Sequence, residues 1–209
     1  MNSHADLILS TAYFPPVQYF TRIIRSNKVQ IEVNETYHKQ TYRNRCIIYS
    51  ASGPLALTVP VERGSFHKTP LKELLIDNSR NWQQSHLRAL NTAYKSAAFY
   101  EFYIDELEKF FKRRFNKLLD LNNDILESLL DILGIDAKIN LTEEFIKEYS
   151  NAEDHRYNIK PKNQTEFPDF NPPEYFQVFN SAHGFKRDLS ILDLIFNMGP
   201  EAYDYLKSC

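Results

Sequence analysis

Apolar and polar positions change period once along the chain, near residue 79. Ahead of that point, apolar runs of strand length are punctuated by turn residues. "DLILSTAYF" (6–14) is apolar at its start and rich in β-formers, which predicts a buried strand. "PPVQYFTRIIRSNK" follows; the prolines suit a helix start, and Val17, Phe20, Ile23 and Ile24 recur at helical spacing. A strand passing through Pro-Pro into a helix is how an α/β unit opens. "KVQIEV" (28–33), "RCIIYSA" (45–51) and "PLALTVPVE" (54–62) predict strands, with "SASGP" turning between the last two. "LKELLID" (71–77) reads as a strand, although its Leu and Glu content leaves helix open.

From residue 79 the period is 3.6. Trp82, Leu87, Leu90 and Tyr94 anchor a predicted helix in "NWQQSHLRALNTAYKSAAFY". Residues 105–133 predict two further helices joined near Leu121–Asn123, and "AKINLTEEF" one more short strand. Residues 156–176 hold four prolines among many polar residues and read as an irregular surface loop or lid. "LSILDLIFNMG" (189–199) reads as a helix, capped at its start by Ser190 or Asp188 and at its end by Gly199. The expected architecture is one α/β domain over 1–209. It has an N-terminal mixed sheet in a strand-rich part (1–78) and a helix-rich C-terminal portion (79–209).

Composition narrows the chemistry. The formal net charge is −2 over 209 residues, so attraction to nucleic acid or anionic membranes is not built into the whole chain. Any anion site must therefore be local. With Cys46 and Cys209 as the two cysteines, no disulfide framework or zinc site is expected, and reduced, cytoplasmic thiols are the simplest reading. The start lacks the pattern of a signal peptide, and no run reaches the ~18–20 apolar residues of a membrane span. Five glycines form no phosphate loop or dinucleotide fingerprint, and the sequence leaves the cofactor unknown.

The densest polar stretch is "YHKQTYRNR" (37–45), set between two predicted strands. On an extended backbone Lys39, Arg43 and Arg45 would share one face with Tyr37 and Thr41. Three cations there could clamp a diphosphate, Arg by its planar fork and Lys as a point charge. The plainer alternative is a solvated strand edge. Trp82 and His86 stand four apart and would share a helix face. They make either a proton shuttle beside an indole or a half-buried packing pair. Tyr13 lies where the first strand gives way to the helix, at the kind of strand end where open α/β sheets bind ligands. A Ser10–His86–Asp193 hydrolase triad lacks a nucleophile elbow. "KFFKRRF" (109–115) reads as a core stripe with a charged outer face and not as a nucleic-acid site.

Several stretches, in order, resemble the WbqC-like protein family, known from bacterial surface-polysaccharide gene clusters. They are "AYFPPVQYF" (12–20), "TYRNRCII" (41–48), "LALTVPV" (55–61), Trp82 and His86 with "AYKSAAFY" (93–100), and "YFQVF" (175–179) with "LSILDLIFNMG". Many members carry His-Gln-Pro just before the Tyr-x-Pro motif, where this chain has Leu9, Ser10 and Thr11. The resemblance implies a role in sugar-nucleotide or polysaccharide metabolism, as a transferase or as a non-catalytic binding protein. The expected partner is a small anionic molecule, a sugar nucleotide or phosphosugar. Tyr13, Lys39, Tyr42, Arg43, Asn44, Arg45 and Trp82 are the expected binding residues, and His86 the expected acid/base.

Overall fold

Two helix starts cap one another at the centre of the molecule, and this junction fixes where the first strand ends. In the computed structural model, which describes residues 6–26, 28–62, 69–161 and 170–209, strand β1 (Asp6–Ser10) stops well short of Pro15. Phe14 takes a left-handed turn (φ 39°), and Pro16 leads extended into helix α1 (Val17–Ile23). The first backbone N–H groups of α1 have no partner within the helix. That of Val17 donates to the Leu189 carbonyl and that of Gln18 to Asp188 Oδ1, both at 3.0 Å. In return Ser190 Oγ donates to the Phe14 carbonyl (2.9 Å), and the Ile191 N–H to that of Pro15 (2.8 Å). Ser190 also accepts from the Leu192 N–H, so it caps the later helix as its sequence position predicts.

Beyond α1 the chain returns as β2 (Val29–Glu32), parallel to β1, and makes an antiparallel hairpin of β3 (Arg45–Ser50) and β4 (Gly53–Thr58). Helices α2 (Trp82–Tyr94), α3 (Tyr100–Lys112) and α4 (Leu118–Leu133) follow. Then come β5 (Ile139–Leu141), β6 (Ala152–Asp154), the short α5 (Asn180–His183), α6 (Ile191–Met198) and α7 (Ala202–Ser208). The sheet order is β5-β2-β1-β6, all parallel. The chain is thus a single α/β domain, with strands leading and helices dominating the second half.

Parallel sheets are ordinarily covered on both faces. Here Leu7, Leu9, Val29 and Ile31 look into the main core with the helices. Residues 141–151 lie along the opposite face, lining surface grooves with Ile8 and Gln30. Ser10 and Glu32, paired in register, follow the same alternation as Ile8 and Gln30. The second face is therefore polar at the carboxyl ends of its strands, and the site grows from it.

Three expectations fail locally. Residues 71–77 are a 3-10 turn (Leu71–Glu73) followed by isolated bridges from Leu75 to Lys117 and from Ile76 to Val61. The helical break falls at Arg113–Lys117 and not at Leu121–Asn123. Leu118, Leu121, Ile125 and Leu129, all fully buried, form one unbroken stripe, and each such side chain contributes about 1.5–3 kcal/mol. Strand β4 stops at Thr58, ahead of Pro60, which has no N–H to give a ladder. Of the expected irregular segment 156–176, residues 162–169 lie outside the described part; 156–161 and 170–176 contain no strand or helix.

The C-terminal segment is tied down by a buried carboxylate. Asp193 accepts hydrogen bonds from the Tyr94 hydroxyl (2.9 Å), the Tyr175 hydroxyl (2.5 Å) and Gln177 Nε2 (2.8 Å). Burial pushes its acid up to about 6, against the downward pull of those three donors. Asp193 therefore has a structural occupation and does not meet Ser10 or His86.

Candidate functional site

Strand order reverses between β1 and β6. β2 lies on one side of β1, and the chain comes back only at Ala152 to lay β6 on the other. In open α/β sheets the crevice outside the carboxyl ends of such a strand pair is where ligands bind. At this point the structure holds a cavity of about 10 Å³, lined among others by Ser10, Thr11, Tyr42, Arg43, His155 and Arg156. That is room for about one water.

A buried ionic cluster surrounds the cavity. Glu35 follows the end of β2 and is 2% exposed; its backbone carbonyl is pinned by the Leu71 N–H (2.8 Å). Arg43 grips it with a two-pronged fork, Nε to Oε1 at 2.9 Å and Nη2 to Oε2 at 2.7 Å. Nη2 also donates to Ser10 Oγ (2.7 Å) and to the Arg156 carbonyl (3.2 Å). Ser10 Oγ lies 2.7 Å from Glu35 Oε1 and 3.0 Å from the same carbonyl, so its single proton can serve either acceptor. The Tyr19 hydroxyl closes the strand end by donating to the Ser10 carbonyl (2.9 Å).

Arg156, directly after β6, is the second cation. Its guanidinium donates to Asp154 (2.6–3.1 Å), to Glu32 Oε2 (3.1 Å) and to the carbonyls of Ile146 (2.8 Å) and Lys147 (3.2 Å). Phe145, Tyr149 and Tyr157 set their rings 4.9–5.5 Å from it. Burial alone would weaken Arg156's hold on its proton; the hydrogen bonds and charge of Asp154 more than reverse that. On Asp154 burial favours the acid, yet the bonds from Arg156 prevail and hold its carboxyl below the usual range. Two guanidinium groups are thus matched by three carboxylates, those of Glu32, Glu35 and Asp154.

The residues expected from sequence fall into separate places. Tyr42 and Arg43 line the cavity. Lys39, Arg43 and Arg45 do not share a face: residues 39–44 form bends and turns, with Gln40 at φ 58°, so strand alternation does not apply. Arg43 turns inward, Lys39 is exposed, and Arg45 is half-buried at the start of β3. Asn44 works on the backbone, donating to the Val59 carbonyl (2.8 Å) and tying the turn to the end of the hairpin.

Tyr13, Trp82 and His86 do come together, as a buried group. The Tyr13 hydroxyl meets His86 Nδ1 at 2.9 Å, and the Trp82 ring stands edge-on to His86 at 5.2 Å. The imidazole also hydrogen-bonds the Thr58 backbone. Tyr13 donating to Nδ1 and Nε2–H donating to the Thr58 carbonyl is the one tautomer that satisfies both contacts. Burial lowers the pKa of His86 to about 4. A base whose folded pKa is lowered contributes stability that is full above its unfolded value, near 6.5, and is lost as pH falls toward 4. We therefore expect His86 in a histidine NMR titration to keep its neutral, Nε2-protonated signature down to about pH 5. Titration near the ordinary histidine value would refute the buried arrangement.

Sequence reasoning passed over Glu35, Arg156 and Tyr157. One signal was available for the first: Glu32 and Glu35 sit at the carboxyl end of the predicted strand "KVQIEV", where the crevice rule points. Arg156 follows a three-residue strand too short to show a period. Among the described residues no group of three or more His, Cys, Asp or Glu is arranged to hold a metal, and no helix is long and apolar enough to cross a membrane.

A family model described as the WbqC-like protein family matches residues 11–164. The chain is also similar to the uncharacterized protein Rv1507c of Mycobacterium tuberculosis, 29% identical over 226 residues and covering 97% of each chain. No solved structure matches it significantly.

Proposed function

This chain belongs to the WbqC-like protein family, and we propose that it binds a nucleotide-activated or phosphorylated sugar at the β1/β6 crevice and acts on it as a transferase. The carrying observation is the buried Ser10–Glu35–Arg43–Arg156 cluster beside a cavity at the point of strand reversal. Arginine forks suit phosphate oxygens, and a serine hydroxyl with a carboxylate suits sugar hydroxyls. The acid/base part expected of His86 passes in this reading to the Ser10–Glu35 pair. Both nitrogens of His86 are already engaged with protein atoms, whereas Ser10 lines the cavity.

A second reading, binding without turnover, is favoured by the charge compensation. Every guanidinium in the cluster already has a carboxylate partner. Product formation from a donor sugar, abolished by Ser10→Ala in a folded variant, decides for the transferase.

Binding itself is tested by thermal shift over UDP-, GDP- and dTDP-linked sugars. At about 100 Kd a ligand stabilises by about 2.7 kcal/mol. That raises Tm by about 5–10 °C in a chain of this size. Ser10→Ala is expected to weaken binding by about tenfold, the value of one lost hydrogen bond to a charged group. No shift with any donor, or a shift unaltered in Ser10→Ala, overturns the proposal.

A further inference from the structure

Tyr157 differs from its neighbours in the cluster. Ser10, Glu35, Arg43 and Arg156 are each at most 9% exposed, while Tyr157 is 41% exposed. Its ring lies 5.7 Å from the Arg43 guanidinium and 5.5 Å from that of Arg156, touching both cations at once. Its hydroxyl hydrogen-bonds the Glu35 side chain. On its other side the ring stands edge-on to exposed His38 at 5.5 Å.

We propose that Tyr157 is the gate of the β1/β6 crevice, closed in this structure across the face of Arg43 and opened by rotation of its side chain. The geometry supports this in three ways. The ring is the cluster's exposed member, so it can move without disturbing the core. Little holds it: one hydrogen bond and ring contacts, each worth of the order of 1 kcal/mol. And the cavity beside the cluster, at about 10 Å³, is too small for any sugar or phosphate, so admitting one requires some cover to leave. Arg43 has Tyr157 as its one aromatic cover among the described contacts, whereas Arg156 keeps Phe145 and Tyr149 as well.

Rotation would expose the fork of Arg43 while Glu35 still fills it. An incoming phosphate or carboxylate would then compete with Glu35 for Arg43, and the displaced carboxylate would keep Ser10 Oγ as a donor. The opened tyrosine face, next to His38, would offer a flat aromatic surface for a sugar or base ring. The ligand class this gate admits is therefore an anion carrying a ring. That part, and the argument from cavity size, rest on the functional reading above; the position of the exposed Tyr157 ring across Arg43 does not.

The gate is tested without any ligand, by arginine modification with phenylglyoxal mapped to individual residues by mass spectrometry. In the full chain Arg43 is expected to react slowly. Tyr157→Ala should raise its rate about tenfold or more, as expected when a local opening becomes the resting state. Tyr157→Phe, which keeps the ring and removes only the Glu35 hydrogen bond, should raise it less. Arg156 should change little in either variant, and exposed Arg113 and Arg114 not at all. Equal Arg43 reactivity in all three proteins overturns the gate. So does an increase shared by Arg43 and Arg156, which would mean general loosening. A sugar nucleotide that slows Arg43 labelling in Tyr157→Ala supports the ligand assignment; absence of such protection overturns that assignment and leaves the gate standing.

Discussion

Replacing Arg43 by methionine is expected to lower stability by about 3–5 kcal/mol, and Arg43→Met combined with Glu35→Leu to restore most of the loss. The side chains of Arg43 and Glu35 are 3% and 1% exposed. Removing the cation leaves a buried carboxylate without its counter-charge. Its remaining donors are Ser10, which has an alternative acceptor in the Arg156 carbonyl, and Tyr157, which has solvent. Removing both charges leaves neither stranded, and an apolar pair of similar volume can occupy the space. Urea unfolding at fixed pH, with m unchanged, measures both variants. Equal losses in the single and double variants would show that packing, and not the stranded charge, sets the cost.

Gly199→Ala is expected to cost about 2–4 kcal/mol, from strain of about 1–3 kcal/mol and overpacking of similar size, partly relieved by movement of a ring. In a domain of this length that lowers Tm by about 5–15 °C. Gly199 sits at φ 54°, ψ −124°, a conformation that side chains rarely adopt. A Cβ there would also lie 2.5 Å from two ring atoms of Phe99. The two causes are separable by calorimetry, because Phe99→Leu removes the ring and leaves the backbone as it was. If Gly199→Ala costs as much in the Phe99→Leu background as in the native one, the backbone accounts for the whole effect. A loss under about 0.5 kcal/mol in the native background would refute both.

The opening of the fold was legible because its signals are local. The Pro15–Pro16 start of α1, the turn between β3 and β4, the helical face of α2 and the Ser190 cap each lie within a few residues of what they specify. The break between α3 and α4 was misplaced because "LDLNND" looks polar. Its Leu121 nevertheless continues the buried stripe that Leu118 begins, and the true break falls at Arg113, where the backbone turns extended. Site chemistry was legible only by halves. "TYRNR" marked Arg43 as an important cation, but its carboxylate partner sits eight residues upstream and its serine thirty-three. Ser10 meets the backbone of Arg156 across 146 residues. No periodicity in the chain encodes such pairs; they exist only once the sheet has chosen its order. His86 and Trp82 were correctly placed beside each other, but their burial with Tyr13 comes from the hairpin packed against them.

That long reach has a consequence for the chain as it is made. At a ribosome the β1-α1-β2 unit, Glu35 and Arg43 emerge early, while the strand that completes the crevice follows more than a hundred residues later. Until β6 arrives, one side of β1 is an open parallel edge, and such edges recruit strands from other molecules. A transcript cut short before residue 152 would therefore yield a sticky fragment and not a weak version of the protein. The last small strand is a stopper as much as a wall.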